Sequence, residues 1–349
     1  MNTKSVNKIN SIVSEIEGVY RFQIDFPSSY GLKFVCMYLF KIDNAYILID
    51  AGFNFPFWKK AFFSELQKLS LSIRDIDYLM ITHEHPDHCG LMEEIKQENP
   101  NIQILMHEIT HDLMKWMTDP KNEEDIQNSQ DELISRALSY GITEEVSKTM
   151  FGFSSNMYKM IPYTQPDRIL KDNDEIIFDS TRIKAIHTPG HSLGHCCLFN
   201  ESTRHLFAGD HILSRITPNI GTSIINPSIE RRYDFTNILD HYLKSLDKID
   251  KLDPKIVFPA HQDVIYNPHQ RILEMKKHHE TRLAEVSKMI ENKPLTPYQI
   301  SLIHFGEDLD GLNNLLALSE ILSHLIYLEN QGKIKRIEKN NLVYFVKEV

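Results

Sequence analysis

The 349-residue chain has few cysteines, no long apolar run and a shortage of positive charge, and each lack removes a class of function. Its four cysteines, Cys36, Cys89, Cys196 and Cys197, are scattered apart from one adjacent pair. They form neither a secreted disulfide framework nor a C-x-x-C metal motif, and Cys89, Cys196 and Cys197 read as small buried hydrophobes. No run of about 18 apolar residues is present, as a membrane helix would need. The first twenty residues lack the apolar core of a signal peptide. A cytoplasmic protein with no membrane partner is the expectation. Lys and Arg number 38 against 48 Asp and Glu, a formal charge of −10 with His neutral. The molecule as a whole therefore repels phosphate backbones, which disfavours nucleic acid as a partner. A small-molecule substrate is expected instead, and the composition leaves homo-oligomer formation open.

Histidine is abundant where cysteine is scarce. Seventeen are present, several crowded into a few short segments. The surrounding pattern predicts an α/β fold. Strand signals rich in Val, Ile, Tyr and Phe fall at residues 19–26, 32–41 and 45–50, with a turn at Asp43-Asn44. Further strands are predicted at 76–81, 102–106, 182–186, 196–199, 205–208 and 255–258. Helical spacing of apolar residues appears at 58–69, 91–97 and 233–249. A helical insertion is expected from His107 to about Tyr163. After residue 267 the chain reads as a long helix (268–290), two shorter ones (298–305 and 312–329) and a basic hairpin (333–346). The domain boundary falls within about ten residues of Lys276, giving a main domain over 1–275 and a C-terminal domain over 276–349.

The chemistry concentrates in Thr82-His83-Glu84-His85-Pro86-Asp87-His88. Imidazole nitrogen and carboxylate oxygen suit zinc and related divalent ions. The i, i+2 spacing lets His83 and His85 project the same way from an extended loop, while Asp87 and His88 turn toward a second ion. Three later segments supply further candidates at strand ends: His191 in Thr188-Pro189-Gly190-His191, Asp210 in Phe207-Ala208-Gly209-Asp210-His211, and His261 in Phe258-Pro259-Ala260-His261. Strand ends of α/β sheets are where such sites assemble.

On these residues the chain resembles the metallo-β-lactamase superfamily from about Val19 to Asn267, with its glyoxalase II-like and lactonase-like members the most similar. The resemblance implies a four-layer αβ/βα sandwich. It implies a first metal held by His83, His85 and His191, a second held by Asp87, His88 and His261, and Asp210 bridging both. Asp50 matches the aspartate that steadies the site from behind. Zinc is the first expectation for the two divalent ions, and the same ligands accept iron or manganese. Two such ions about 3.5–4 Å apart share a water, lower its pKa toward neutrality and so furnish a hydroxide nucleophile. Asp87 is then the catalytic residue that orients the nucleophile and collects its proton. Asp210, where the antibiotic-degrading branch commonly has cysteine, points away from β-lactam hydrolysis. The expected activity is cleavage of a thioester, ester or lactone.

The C-terminal segment resembles the winged-helix appendage of the mitochondrial β-lactamase-like endoribonuclease and its bacterial relatives, which makes a phosphodiesterase or endoribonuclease the competing expectation. Against it, no Lys or Arg occurs from Pro294 through Gly332, where a groove-reading helix needs cations facing phosphates. His195 and His211 flank the motifs without a ligand role, and His107 and His111 are expected on a solvated helical face. The insertion's Met106, Met114, Trp116, Met117, Met150, Phe151, Phe153, Met157, Tyr158 and Met160 read first as core packing, with a lid over an apolar pocket as the alternative. Arg215, Arg231 and Tyr233 are placed to hold an anionic substrate group.

Overall fold

The computed structural model describes residues 10–26, 33–158, 163–221, 233 and 235–348, with side chains omitted over 152–158. Two sheets form the frame. The first contains, in order, β1 (Ser11–Ile16), β2 (Val19–Asp25), β3 (Phe34–Ile42), β4 (Ala45–Ile49), β5 (Tyr78–Ile81), β6 (Gln103–His107) and β7 (Arg168–Leu170). It begins as an antiparallel meander and becomes parallel from β4 onward. The second is ordered β12 (Ile256–Pro259), β11 (His205–Gly209), β10 (Cys196–Asn200), β9 (Arg182–His187) and β8 (Glu175–Ile177), with only β11–β12 parallel. The short strands β1, β7 and β8 were not foreseen. Three to six residues with at most one buried side chain give little alternation to read.

Side-chain alternation fixes the layers. Along β3, Val35, Met37 and Leu39 enter one core while Cys36, Tyr38 and Phe40 enter another, the period of two expected of a strand buried on both faces. The core between the sheets joins Tyr38, Phe40 and Ile47 to Leu198, Phe207 and Phe258. Phe40 stacks on Phe207 with ring centroids 4.7 Å apart. The outer face of the first sheet is covered by α1 (Pro56–Lys68) and α3 (Met92–Glu98), through Trp58, Phe62, Leu66 and Ile95. Between them lies the one-turn α2 (Pro86–Cys89). The outer face of the second sheet is covered by α7 (Ile238–Leu252) and the start of α8 (Pro268–Met289). Helix, sheet, sheet, helix is the αβ/βα sandwich.

The insertion comprises α4 (Glu108–Thr118), α5 (Glu123–Ser139) and α6 (Glu144–Tyr158). Its apolar side chains are packing material. Met106 and Met114 enter the first core, and Trp116 and Met117 lie half-buried against the cores. Met150 and Phe151 join Leu133, Ala137 and Tyr140 in a core shared with α9 (Pro297–Phe305) and α10 (Gly311–Asn330). The side chains of Phe153, Met157, Tyr158 and Met160 lie outside the described residues. The solvated reading of His107 and His111 is corrected, because both are buried. His107 closes β6 and caps α4, accepting from the Ile109 N–H, and stacks on His187. His111 contacts the Tyr163 hydroxyl at 3.0 Å.

Residue 276 sits inside the unbroken helix α8, whose Ile272 and Met275 pack with the second sheet and whose Val286 packs with the C-terminal helices. The hairpin β13 (Ile334–Lys339) and β14 (Leu342–Lys347) completes the chain. No described helix is long and apolar enough to cross a membrane.

Candidate metal centre

The candidate side chains sit just beyond strands, in a loop between strands, or, for Asp87 and His88, in the one-turn helix α2. Asp50 follows β4 and His83 follows β5; those strands are parallel, so their carboxyl ends lie side by side. Asp210 and His261 follow the parallel pair β11 and β12 in the same way. His191 comes from the loop joining β9 to β10. The site is therefore assembled where the carboxyl ends of both sheets meet.

The short helix α2, which carries Asp87 and His88, is pinned by backbone hydrogen bonds, with the Ala51 N–H donating to His88 O and the Gly90 N–H to Gly52 O. Gly209 must be glycine: its φ is +47°, and a Cβ there would stand 2.7 Å from His195 Nε2 and 2.8 Å from Thr82 Oγ1.

All seven candidates converge. His85 Nδ1 is 3.0 Å from His83 Nε2 and 3.1 Å from His191 Nε2. His261 Nε2 is 3.3 Å from both Asp87 Oδ2 and Asp210 Oδ2. His88 Nε2 lies 3.5 Å from Asp87 and 3.6 Å from Asp210, and His191 Nε2 lies 3.4 Å from Asp210. Three triads could each hold an ion: His83, His85 and His191; Asp87, His88 and His261; and His83, His88 and Asp210, with ligand atoms within 4.8 Å of one another. Asp210 thus lies between the first two groups.

Neighbouring acceptors fix which nitrogen each ring presents. Asp50 Oδ2 accepts from His88 Nδ1 at 2.8 Å and from the Thr82 hydroxyl at 2.9 Å, while Oδ1 accepts from the Thr82 N–H. Because that hydroxyl donates to Asp50, it accepts from His83 Nδ1 at 3.0 Å. His261 Nδ1 donates to Phe34 O at 2.9 Å, and His191 Nδ1 to Asn219 O at 3.1 Å. Four rings therefore carry a proton on Nδ1 and turn Nε2 inward. Asp50 holds its three bonds from a left-handed backbone, φ 63°, a strain that persists where surroundings overdetermine it. The family resemblance implied Asp50 behind the site. It had no means of finding Phe34 O or Asn219 O, which are backbone carbonyls.

Charge follows from the same crowding. Burial opposes protonation of His88, but Asp87, Asp210 and Asp50 together outweigh it and raise its pKa to about 10. His261 is likewise raised against burial, by Asp210 and Asp87. Burial also opposes ionisation of Asp87, yet His88 and His261 hold its carboxyl well below the usual range. Positive charge is thus favoured on His88 and His261, beside the aspartates, whereas burial and neighbouring imidazoles lower His83 and His191, and burial lowers His85. His88 Nε2 and Asp210 Oδ1 are buried with no hydrogen-bond partner among the described residues. Orphan donor atoms of this kind, among histidines and carboxylates, fit divalent cations.

The remaining candidates do other work. His195 Nε2 accepts from the Asp210 N–H at 3.1 Å and its Nδ1 donates to the Thr188 hydroxyl at 2.8 Å, so it positions Asp210. His211 is buried, and burial lowers its pKa to about 3. Glu84, inside the motif, is buried and accepts from the Ser192 hydroxyl at 2.7 and 2.8 Å, tying the His83 loop to the His191 loop. That bond was not visible from spacing. Arg215 pairs with Asp263 and the Tyr233 hydroxyl donates to Asp112, so neither stands ready for an anionic group. Arg231 lies outside the described residues.

Comparison with known proteins agrees with this geometry. The chain is 27% identical over 329 residues to "Probable metallo-hydrolase YqjP" of Bacillus subtilis, covering 91% of this chain and 95% of that protein. It is 21% identical over 293 residues to an atrochrysone carboxyl ACP thioesterase of Aspergillus fumigatus, covering 80% of this chain and 53% of that one. A metallo-beta-lactamase family protein of Thermus thermophilus superposes with a TM-score of 0.76 at 25% identity, covering 95% of this chain and 99% of that one. Residues 283–348 match the metallo-beta-lactamase-like C-terminal domain. Residues 30–261 match the metallo-beta-lactamase superfamily itself, and the chain belongs to that superfamily.

Proposed function

We propose that this chain is a hydrolase that holds two divalent ions, zinc first among them, and cleaves a thioester, ester or lactone. His83, His85 and His191 would hold one ion, Asp87, His88 and His261 the other, with Asp210 shared. The observation that carries this reading is the inward convergence of four Nε2 atoms, each ring fixed through its Nδ1, on Asp87 and Asp210, with His88 Nε2 and Asp210 Oδ1 left unpartnered. Bound there, two divalent ions would supply an activated water and polarise the oxygen of the electrophile. Asp87 Oδ2 stands within 3.5 Å of both His88 and His261 and is the oxygen we assign to orienting that water and collecting its proton. Asp210 is held by the His195 bond to its own N–H, and Asp50 keeps His88 from turning.

The acyl-thioester preference is supported by the thioesterase among the relatives. The C-terminal helices argue against a nucleic-acid substrate. In α10 the buried residues include Leu318, Ile321, Leu322 and Leu325, so the helix spends its apolar face on packing. In the hairpin we read as a wing, Arg336 is engaged by Glu329.

The test is a panel of acyl-thioesters, lactones, a bis-aryl phosphodiester and single-stranded RNA, run on chelated and zinc-reloaded protein. Thioester or lactone turnover that vanishes on chelation and returns with zinc is the expected result. Cleavage of RNA alone would replace this reading with the endoribonuclease.

A further inference from the structure

The acceptors that orient His83, His88 and His261 belong to the β-sandwich itself: Thr82, Asp50 and Phe34 O. His191 is different. Its acceptor, Asn219 O, lies in the segment after β11, and that segment rests on the C-terminal helix. The Asn219 side-chain amide donates to Leu316 O at 2.9 Å. The backbone of Ile220 lies beside the Glu320 carboxylate. A Cβ on Gly221 would come within 2.7 Å of Ser319 O, so the chain there runs directly against the helix. Three consecutive residues thus meet Leu316, Ser319 and Glu320, the i, i+3, i+4 strip of one face of α10. Upstream, Arg271 of α8 donates to Leu213 O at 2.6 Å and to Ile216 O at 2.7 Å, fastening the same segment at its other end.

We propose that Asn219 is a positioning residue for His191, and that through it the C-terminal helix α10 sets one corner of the metal centre. The inference rests on the reading that His191 holds a metal. Its physical content is simple. The Asn219 amide fixes the height of its own carbonyl over the β-sandwich. That carbonyl keeps the proton of His191 on Nδ1 and the ring plane turned so that Nε2 faces His85 and Asp210. Without the strut the ring can rotate, and the ion that depends on His191 is held less tightly, while the ion at Asp87, His88 and His261 keeps every acceptor it had.

The experiment is a stepwise chelator titration of the full chain with zinc, repeated with cobalt(II) to follow absorption, on wild type, Asn219→Ala, Asn219→Asp and Gly221→Ala. Asp is the same shape as Asn but cannot donate to Leu316 O. Expected is about a tenfold or greater loss of affinity for one of the two ions in both Asn219 variants, with the other ion unchanged, the melting temperature close to wild type and an altered cobalt spectrum. Gly221→Ala, which must lift the segment off α10, is expected to repeat the effect. Asn219 variants that hold both ions as tightly as wild type overturn the inference, as do variants that weaken both ions together with a fall in melting temperature. Wild type failing to bind two ions in the same titration would instead bring down the underlying reading, and this inference with it.

Discussion

Two histidine clusters lie among the described residues, and they differ in the charge that surrounds them. In the cluster at the sheet ends, His83, His88, His191 and His261 have their Nδ1 protons taken by acceptors. Between α8 and α10 the same device recurs. His324 Nδ1 donates to Glu320 O at 2.6 Å, so His324 Nε2 accepts from His279 Nδ1 at 3.1 Å, and His279 Nε2 is left buried and unpartnered. His278, His279 and Glu320 even bring three potential ligand atoms within 4.8 Å. The difference is the charge around them. Three aspartates surround the first cluster and raise His88 to about 10. The second has two carboxylates, Glu320 and Glu285, and Arg282 stands 3.6 Å from each. There burial, followed by His324, His278 and Arg282, pushes His279 down to about 2. Crowded imidazoles with fixed tautomers are common to both. The carboxylates decide which cluster takes up cations, and in the second the guanidinium already fills that electrostatic role.

Four substitutions sharpen or break this contrast. The largest effect is expected from Asp210→Ala, which removes the carboxylate lying among His88, His191 and His261. Its kcat should fall on the order of a thousandfold, since several kcal/mol of charge stabilisation are lost, and steady-state kinetics with saturating zinc would show it. A variant that keeps near-normal kcat would mean the carboxylate is not part of the centre. Next is Asp50→Ala, which strips the acceptor from His88 and Thr82. Metal affinity should weaken by roughly 10- to 100-fold, read by chelator competition, with little change in KM once the site is saturated.

His278→Ala probes the second cluster. Metal content should stay at the wild-type value and activity within about twofold, as for a partly exposed residue outside the site. Elemental analysis showing one ion fewer would break the comparison. The smallest effect is a pH dependence at Glu320. Burial lifts its carboxyl from 4.5 to about 7, against Arg282 and the Ile220 backbone. The folded state therefore holds a proton that the unfolded state has released between those values, so this residue's contribution to stability is full below about pH 4.5 and declines as pH rises through 7. Glu320→Gln should gain on wild type in melting temperature between pH 5 and pH 8. A constant difference across that range would remove the buried-carboxylate account.

Much of the site was legible in the sequence because its side chains cluster in short runs after strands. The motif from His83 to His88, and the isolated His191, Asp210 and His261, each follow a readable β signal or turn, and the structure brings them together. The long strands were legible from composition: the apolar, aromatic and β-branched run of β3 leaves a strong signal. What escaped was long-range. His107 and His111 look solvated on a charged insertion, and only the docking of α4 against β7 and the second sheet buries them. Helix α7 was expected to begin at Tyr233, but Asn237 caps it by accepting from the Asp240 N–H, so its first turn starts at Ile238. The acceptors behind His191 and His261 are main-chain oxygens, which no residue type announces.

The most direct test of the central claim is a count of metal ions on the purified chain, stripped with chelator and reloaded with zinc, beside His85→Ala and His261→Ala. The account predicts two ions per wild-type chain, with each variant losing affinity at its own position and hydrolysis failing in both. A single tightly held ion, with turnover indifferent to the loss of His261, would contradict it.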